Sequence, residues 1–160
     1  MSGHFLDQID IRLLNALQED AGLSQRELAE RVGLSQNACW RRLQALNAAG
    51  IITGRSLRLD RTKVGMDLVV FTMVRTSHHS AEWLETFRRH VAAIPEVVDF
   101  YRISGNYDYM LKIVTGGMAE FDAVYRRLIK GVELSAVSSY FAMEALVEAR
   151  PLALRAGPSR

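Results

Sequence analysis

The sequence predicts an α+β protein in two parts: a winged-type helix-turn-helix domain at the N-terminus, followed by a ferredoxin-like βαββαβ domain. Three observations predict it. Residues 23–54 carry two helix-start signals, at Ser24 and Ser35, with Gly33 between them. Residues 66–148 read strand, helix, strand, strand, helix, strand, the split order of two interlocked β-α-β units. Basic charge is concentrated: residues 35–63 hold six Arg or Lys against one acid, whereas residues 1–34 hold three against six. The expected boundaries are residues 1–53 for the first domain, 54–64 for an extended linker, 65–150 for the second domain and 151–160 for a C-terminal tail.

The 160 residues suffice for one large or two small domains, and 49 % apolar with 24 % charged residues suits a folded, water-exposed chain. A net charge of +2 argues for nothing unless it is localised, as it is here. No segment reaches the roughly 18 apolar residues of a membrane span, and the start lacks the basic-then-apolar pattern of a signal peptide. A single cysteine, Cys39, excludes an internal disulfide and fits a reducing compartment, so a cytoplasmic protein is expected.

In chain order, Asp7 caps a helix whose buried face is Ile9, Leu13 and Leu17 with Leu14 beside them, ending near Gly22. Ser24 and Glu27 form a capping box for a second helix, with Leu28, Ala29 and Val32 inward and Arg26, Glu27, Glu30 and Arg31 outward. Gly33 supplies the turn, Leu34 plugs it, and Ser35 caps a third helix. There Cys39, Leu43 and Leu46 form the inward stripe; Asn37, Arg41, Gln44 and the edge residue Trp40 form the outward one, with Arg42 beside them.

That outward set is chemically selective. Asn and Gln pair with adenine edges, Arg with guanine O6 and N7, and an apolar or aromatic group meets the thymine methyl. Double-stranded DNA is therefore the expected partner, with Ser35, Gln36, Asn37, Trp40, Arg41, Arg42, Gln44 and Arg55 as candidate contacts. The plainer alternative is a solvated or dimerising face of a small three-helix domain. Gly50 ends the third helix, and residues 51–60 alternate toward an extended segment. Its Arg55 and Arg58, with Arg61 just beyond, suit either phosphate contacts from a wing or an exposed basic linker.

Residues 67–75, DLVVFTMVR, are an almost continuous β-branched and apolar run, expected as a strand covered on both faces. Ser80 caps a helix with Trp83, Phe87, Val91 and Ile94 on one face, ended by Pro95. VVDFYRIS and YDYMLKIVT are two strands joined through Gly105-Asn106. Gly116-Gly117 leads into a helix with Phe121, Val124, Tyr125 and Leu128 inward, closed by Gly131, and a last strand is expected from about Ala136 to Glu148. Both helices should cover one sheet face. The other face is also apolar, which predicts a second subunit over it.

No catalytic constellation appears. His78-His79 are adjacent in a loop without accompanying metal ligands, and there is no G-x-S-x-G, P-loop or H-E-x-x-H. Asp7 with Asp10, and Glu82 with Glu85, read as first-turn helix acids. The chain is expected not to be an enzyme, with no metal.

The helix-turn-helix, the basic linker and a sheet domain with GNYDYML after its second strand resemble the Lrp/AsnC (leucine-responsive, feast/famine) transcriptional regulators, over residues from about Leu6 to Leu154. HHSAEWLETF, PEVVDFYRISGNYDYML, YRRL and SSYFAME are most similar to the branch typified by the cysteine-responsive regulator of cysteine detoxification. The resemblance implies a homodimer through the C-terminal sheet, built up to tetramers, octamers or hexadecamers, with paired heads on DNA. No cofactor is implied beyond an amino-acid effector, bound between dimers near Gly105 to Asp108. The candidate effector contacts are Tyr101, Gly105, Asn106, Tyr107, Asp108, Ser138 and Ser139.

The chemistry of the turn agrees with that role. Asp108 can accept from an ammonium, backbone amides around Gly105 and Asn106 can donate to a carboxylate, and glycine allows close approach. The alternative is a hairpin turn in which Asp108 satisfies nearby amides and Tyr101, Tyr107 and Tyr109 pack between strands. GVELSAVSSYF lacks the Pro-Gly often present in relatives, which leaves the serine register open. Two further readings remain: a tetrapyrrole (sirohaem-type) decarboxylase on the same fold, using His78, His79 and His90, and an amino-acid sensor acting through a protein partner.

Overall fold

A computed structural model describes residues 5–156 of the chain. It forms two units: one of the residues up to Arg58 together with those from Val147 onward, the other of residues Leu59–Leu146.

In the first unit, α1 spans Gln8–Glu19. Asp7 Oδ1 accepts from the Ile9 and Asp10 amides at 2.8 Å each, and Asp10 Oδ2 accepts from the Asp7 amide at 3.3 Å, which closes a capping box. Helix α2, Gln25–Val32, begins with the same device: the Glu27 amide donates to Ser24 Oγ and the Ser24 amide donates to Glu27 Oε2 at 2.8 Å. Gly33 adopts φ 71°, a left-handed conformation that glycine enters without strain, and turns the chain directly into α3, Gln36–Ala48, capped by Ser35. Leu13, Ala16, Leu28, Ala29, Val32, Cys39 and Leu43 pack as one core, with Leu34 against it. Residues 51–60, expected to be extended, form neither helix nor strand and pair with no strand among the described residues.

The second unit opens with a short 3-10 turn, Thr62–Val64. It then runs β1 (Leu68–Arg75), α4 (Ala81–Ala92), β2 (Val97–Arg102), β3 (Tyr109–Thr115), α5 (Met118–Ile129) and β4 (Ala136–Phe141). The strands pair antiparallel in the order β2-β3-β1-β4, the ferredoxin-like arrangement. Val70, Val74, Tyr109, Leu111 and Ile113 meet Phe87, Val91, Phe121, Val124 and Leu128 in the core. Alternation puts Phe71, Met73 and Arg75 of β1, and Met110, Lys112 and Val114 of β3, on the opposite face, away from α4 and α5, with Val69 on that face but buried. The helices lie on one face of the sheet, as the sequence predicts, and the cover expected for the other face is a second subunit. His90 Nε2 lies 3.0 and 2.9 Å from the carbonyls of Arg127 and Leu128, tying α4 to the C-terminal end of α5.

The last strand is shorter than expected. It ends at Phe141, which pairs with Val70, and the Ala142 amide makes one more bond to the Val69 carbonyl at 2.9 Å. Residues from Val147 onward rejoin the first unit, where Gln18 and Leu152 bond to each other.

Candidate functional site

The N-terminal caps aim the outer face of α3 away from the three-helix core. Asn37, Trp40, Arg41 and Gln44 are all exposed along it, Trp40 at 51 %, while Cys39, Leu43 and Leu46 of the same helix are buried. Ser35 and Gln36 are exposed at its start; the Ser35 hydroxyl accepts from the Ala38 amide at 3.3 Å, and the Gln36 carbonyl accepts from Gln25 Nε2 at 3.0 Å, which braces α2 against α3. Arg55 is exposed further along, lining a cavity of about 350 Å³ with Leu14, Leu17, Ile52, Leu152 and Leu154.

Arg42 departs from the sequence reading. Its guanidinium lies 2.7 Å from Asp7 Oδ2 and 2.7 Å from Asp10 Oδ1, so it turns back across the core to α1 instead of joining the outward set. A helix period places it next to the outward stripe; acids 32 and 35 residues earlier in the chain decide where it points. Asp7's carboxyl is held below its ordinary range, first by the Asp10 amide and further by Arg42.

In the second unit, the β2–β3 hairpin contains Gly105 at φ 121° and an exposed Asn106. Asp108 closes its base three ways. Its amide donates to the Val74 carbonyl at 2.9 Å, its carbonyl accepts from the Ile103 amide at 2.8 Å, and its Oδ2 accepts from the Thr76 amide at 2.8 Å. One carboxylate oxygen is thus committed to the Thr76 amide, just past the end of β1.

The Tyr107 hydroxyl lies 2.9 Å from Ser138 Oγ and also bonds to Tyr140. These bonds, first Ser138 and then Tyr140, lower the Tyr107 phenol from its usual value, the Arg75 charge adding to the effect, and the Tyr140 phenol is raised in turn.

The two serines separate. Ser138 stands on the open sheet face with Tyr107, whereas Ser139 pairs with Thr72 across β1 and β4, their hydroxyls 3.1 Å apart on the helix-covered face. Ser139 therefore leaves the candidate set: adjacent strand residues point to opposite faces, and Thr72 is fully buried. Tyr101 is exposed on the open face opposite Met110, but β3 and β1 lie between it and Ser138, about 14 Å at ordinary strand spacing. Tyr109 is a core residue stacked among Phe87, Phe100 and Trp83. Sequence reasoning passed over Arg75, Thr76 and Tyr140; the one available signal was Arg75 as the lone charge closing an apolar strand run.

The histidines are engaged elsewhere. His78 Nε2 lies 2.7 Å from Glu133 Oε2, and His90 is held at the end of α5. Among the described residues no group of three metal-ligating side chains gathers, and no helix is long and apolar enough to cross a membrane.

Residues 6–53 match the family model described as winged helix-turn-helix DNA-binding, and residues 69–152 match the one described as Lrp/AsnC ligand binding domain. The chain is 44 % identical over 141 residues to the glutamate uptake regulatory protein of Zymomonas mobilis, covering 88 % of this chain and 86 % of that protein. It is 44 % identical over 140 residues to the DNA-binding transcriptional activator DecR of Escherichia coli, covering 87 % and 92 %. Among solved structures it is similar to an AsnC family transcriptional regulator from Agrobacterium tumefaciens, with a TM-score of 0.86, 45 % identity and coverage of 89 % and 94 %. A transcriptional regulator from Neisseria meningitidis, solved as its L-Met complex, gives a TM-score of 0.85 at 31 % identity, with 92 % and 96 % covered.

Proposed function

The chain belongs to the Lrp/AsnC family of DNA-binding transcriptional regulators, and from that premise we propose that it is a sequence-specific regulator whose assembly or DNA affinity changes when a small amino acid binds its second unit. The carrying observation is the exposed ridge of α3, where Asn37, Trp40, Arg41 and Gln44 are free of the core that holds the helix. In this reading those side chains face base edges in the major groove, while Ser35, Gln36 and Arg55 meet phosphates. Arg42 acts by fixing α3 on α1.

A second copy covers the open sheet face of Phe71, Met73, Met110 and Val114, and dimers build to tetramers or octamers. The effector is a small amino acid, cysteine among the candidates, held near Gly105, Asn106, Tyr107, Asp108 and Ser138. The support for an amino acid is the ligand-binding family match, together with a relative solved with L-Met. A cytoplasmic location accompanies this function.

The test is a DNA shift on the gene's own upstream region, with and without a panel of amino acids including cysteine, at stated salt. Tight binding that one amino acid changes is the expected result. Equal, weak binding to unrelated duplexes overturns the reading and favours a sensor that works through a protein partner.

A further inference from the structure

The open sheet face carries two cations in different settings. Lys112 of β3 stands opposite Asp99 of β2 in the ladder. Arg75 of β1 stands opposite Ala136 of β4, with Ser138 next along the same face, and it makes no ion pair among the described residues. Arg75 is exposed, and its chain neighbours are the two residues that grip Asp108: the Val74 carbonyl takes the Asp108 amide, and the Thr76 amide donates to the Asp108 carboxylate. The residue before Asp108, Tyr107, sends its hydroxyl to Ser138 and Tyr140. One corner of the sheet therefore gathers a guanidinium, three hydroxyls and a half-committed carboxylate.

We infer that Arg75 is the carboxylate anchor of the amino-acid site, with Asp108 facing the ammonium and the Tyr107–Ser138–Tyr140 hydroxyls between them. This assignment rests on the effector reading above and adds a charged donor to the neutral amides which that reading offers the carboxylate. A zwitterion needs opposite charges a few ångströms apart, and residues opposite or diagonal in a ladder are spaced on that scale. A guanidinium presents a planar fork that meets a carboxylate with two parallel bonds, whereas the amides at Gly105 and Asn106 are neutral. A second dimer packed over this corner would strip water from Arg75, and an unpaired buried cation is costly. A bound carboxylate neutralises it, so effector binding and that contact favour each other.

The experiment is calorimetric titration of the full chain with each standard L-amino acid, followed by the best binder as its α-carboxamide, which keeps the ammonium and side chain but removes the negative charge. The wild type should prefer the acid by at least about tenfold. Arg75→Met should lose that preference, binding acid and amide alike, and Arg75→Lys should recover part of it. The preference ratio is insensitive to a general loosening of the site, which would weaken both ligands together. An Arg75→Met protein that keeps the wild-type ratio overturns the assignment and leaves the effector reading standing. If no standard amino acid binds the wild type, the effector reading falls, and the anchor with it.

Discussion

Gln18 and Leu152 exchange two hydrogen bonds: the Leu152 amide donates to Gln18 Oε1 at 2.7 Å, and Gln18 Nε2 donates to the Leu152 carbonyl at 3.2 Å. A side-chain amide thus imitates one rung of a β-ladder and pins the C-terminal tail to α1, beside a cavity that Leu152 and Leu154 line with Leu14 and Leu17. Gln18→Leu keeps the volume and removes both bonds. The expected cost is about 1 kcal/mol, since water replaces the lost partners at an exposed position. Hydrogen exchange at the Leu152 amide should accelerate while the amides of α2 and α3 stay protected; unchanged exchange would show that the apolar contacts alone hold the tail.

Asp7, bonded to Arg42, makes the first unit acid-sensitive. Asp7's folded pKa lies below its unfolded value, so its contribution is complete above about pH 4 and is lost as pH falls through the folded pKa. Arg42→Met removes the guanidinium that bonds both Asp7 and the buried Asp10, and should cost about 1–3 kcal/mol at neutral pH. Denaturant melts at pH 7 and pH 3 check both points. The variant should lose part of the pH dependence, and base preference in whatever protein remains folded should be unaltered.

Arg41 behaves differently because it is exposed on the outer face of α3, away from the acids that hold Arg42. Arg41→Ala should leave the melting curve in place. It should cost on the order of 1–3 kcal/mol on the cognate duplex and relax preference at one position. Competition binding against single-base variants of the site measures this; an equal loss on every sequence would assign Arg41 to phosphate.

Met73 stands at the centre of the open face, opposite Met110 and Ser138. Met73→Glu puts a carboxylate there, and in the proposed dimer two-fold symmetry would place one in each protomer, facing the other across the interface. The association constant should fall by at least about 100-fold, as burying such a charge costs several kcal/mol. Sedimentation should report monomers with a normal far-ultraviolet spectrum, because alternation keeps residue 73 out of the core against α4 and α5. A persistent dimer would move the interface elsewhere.

Gly33 tests the turn between α2 and α3. Its φ is 71°, and no atom lies within 4 Å of the point where a Cβ would sit, so Gly33→Ala meets backbone strain without a clash. The expected destabilisation is about 1–2 kcal/mol, read from thermal melts.

Devices whose bonds span a few residues were legible in the sequence. Asp7, Ser24, Ser35 and Ser80 each cap the helix they announce, because the amides they satisfy lie two or three residues away. The apolar periods likewise gave the core faces of α1 to α5 and the antiparallel sheet, since burial repeats with the geometry of the element itself. The tertiary structure decided what depends on a distant partner. The sequence was read as continuing β4 to about Glu148, but a strand needs a neighbour, and with β1 beginning at Leu68 the register offers none beyond residue 143. Period two says that Ser138 and Ser139 face opposite ways; the pairing with Thr72 chose which one meets Tyr107. Arg42 sits on the helix wheel beside the outward stripe and was drawn inward by acids on α1, a balance of electrostatics over periodicity that no local window of sequence contains.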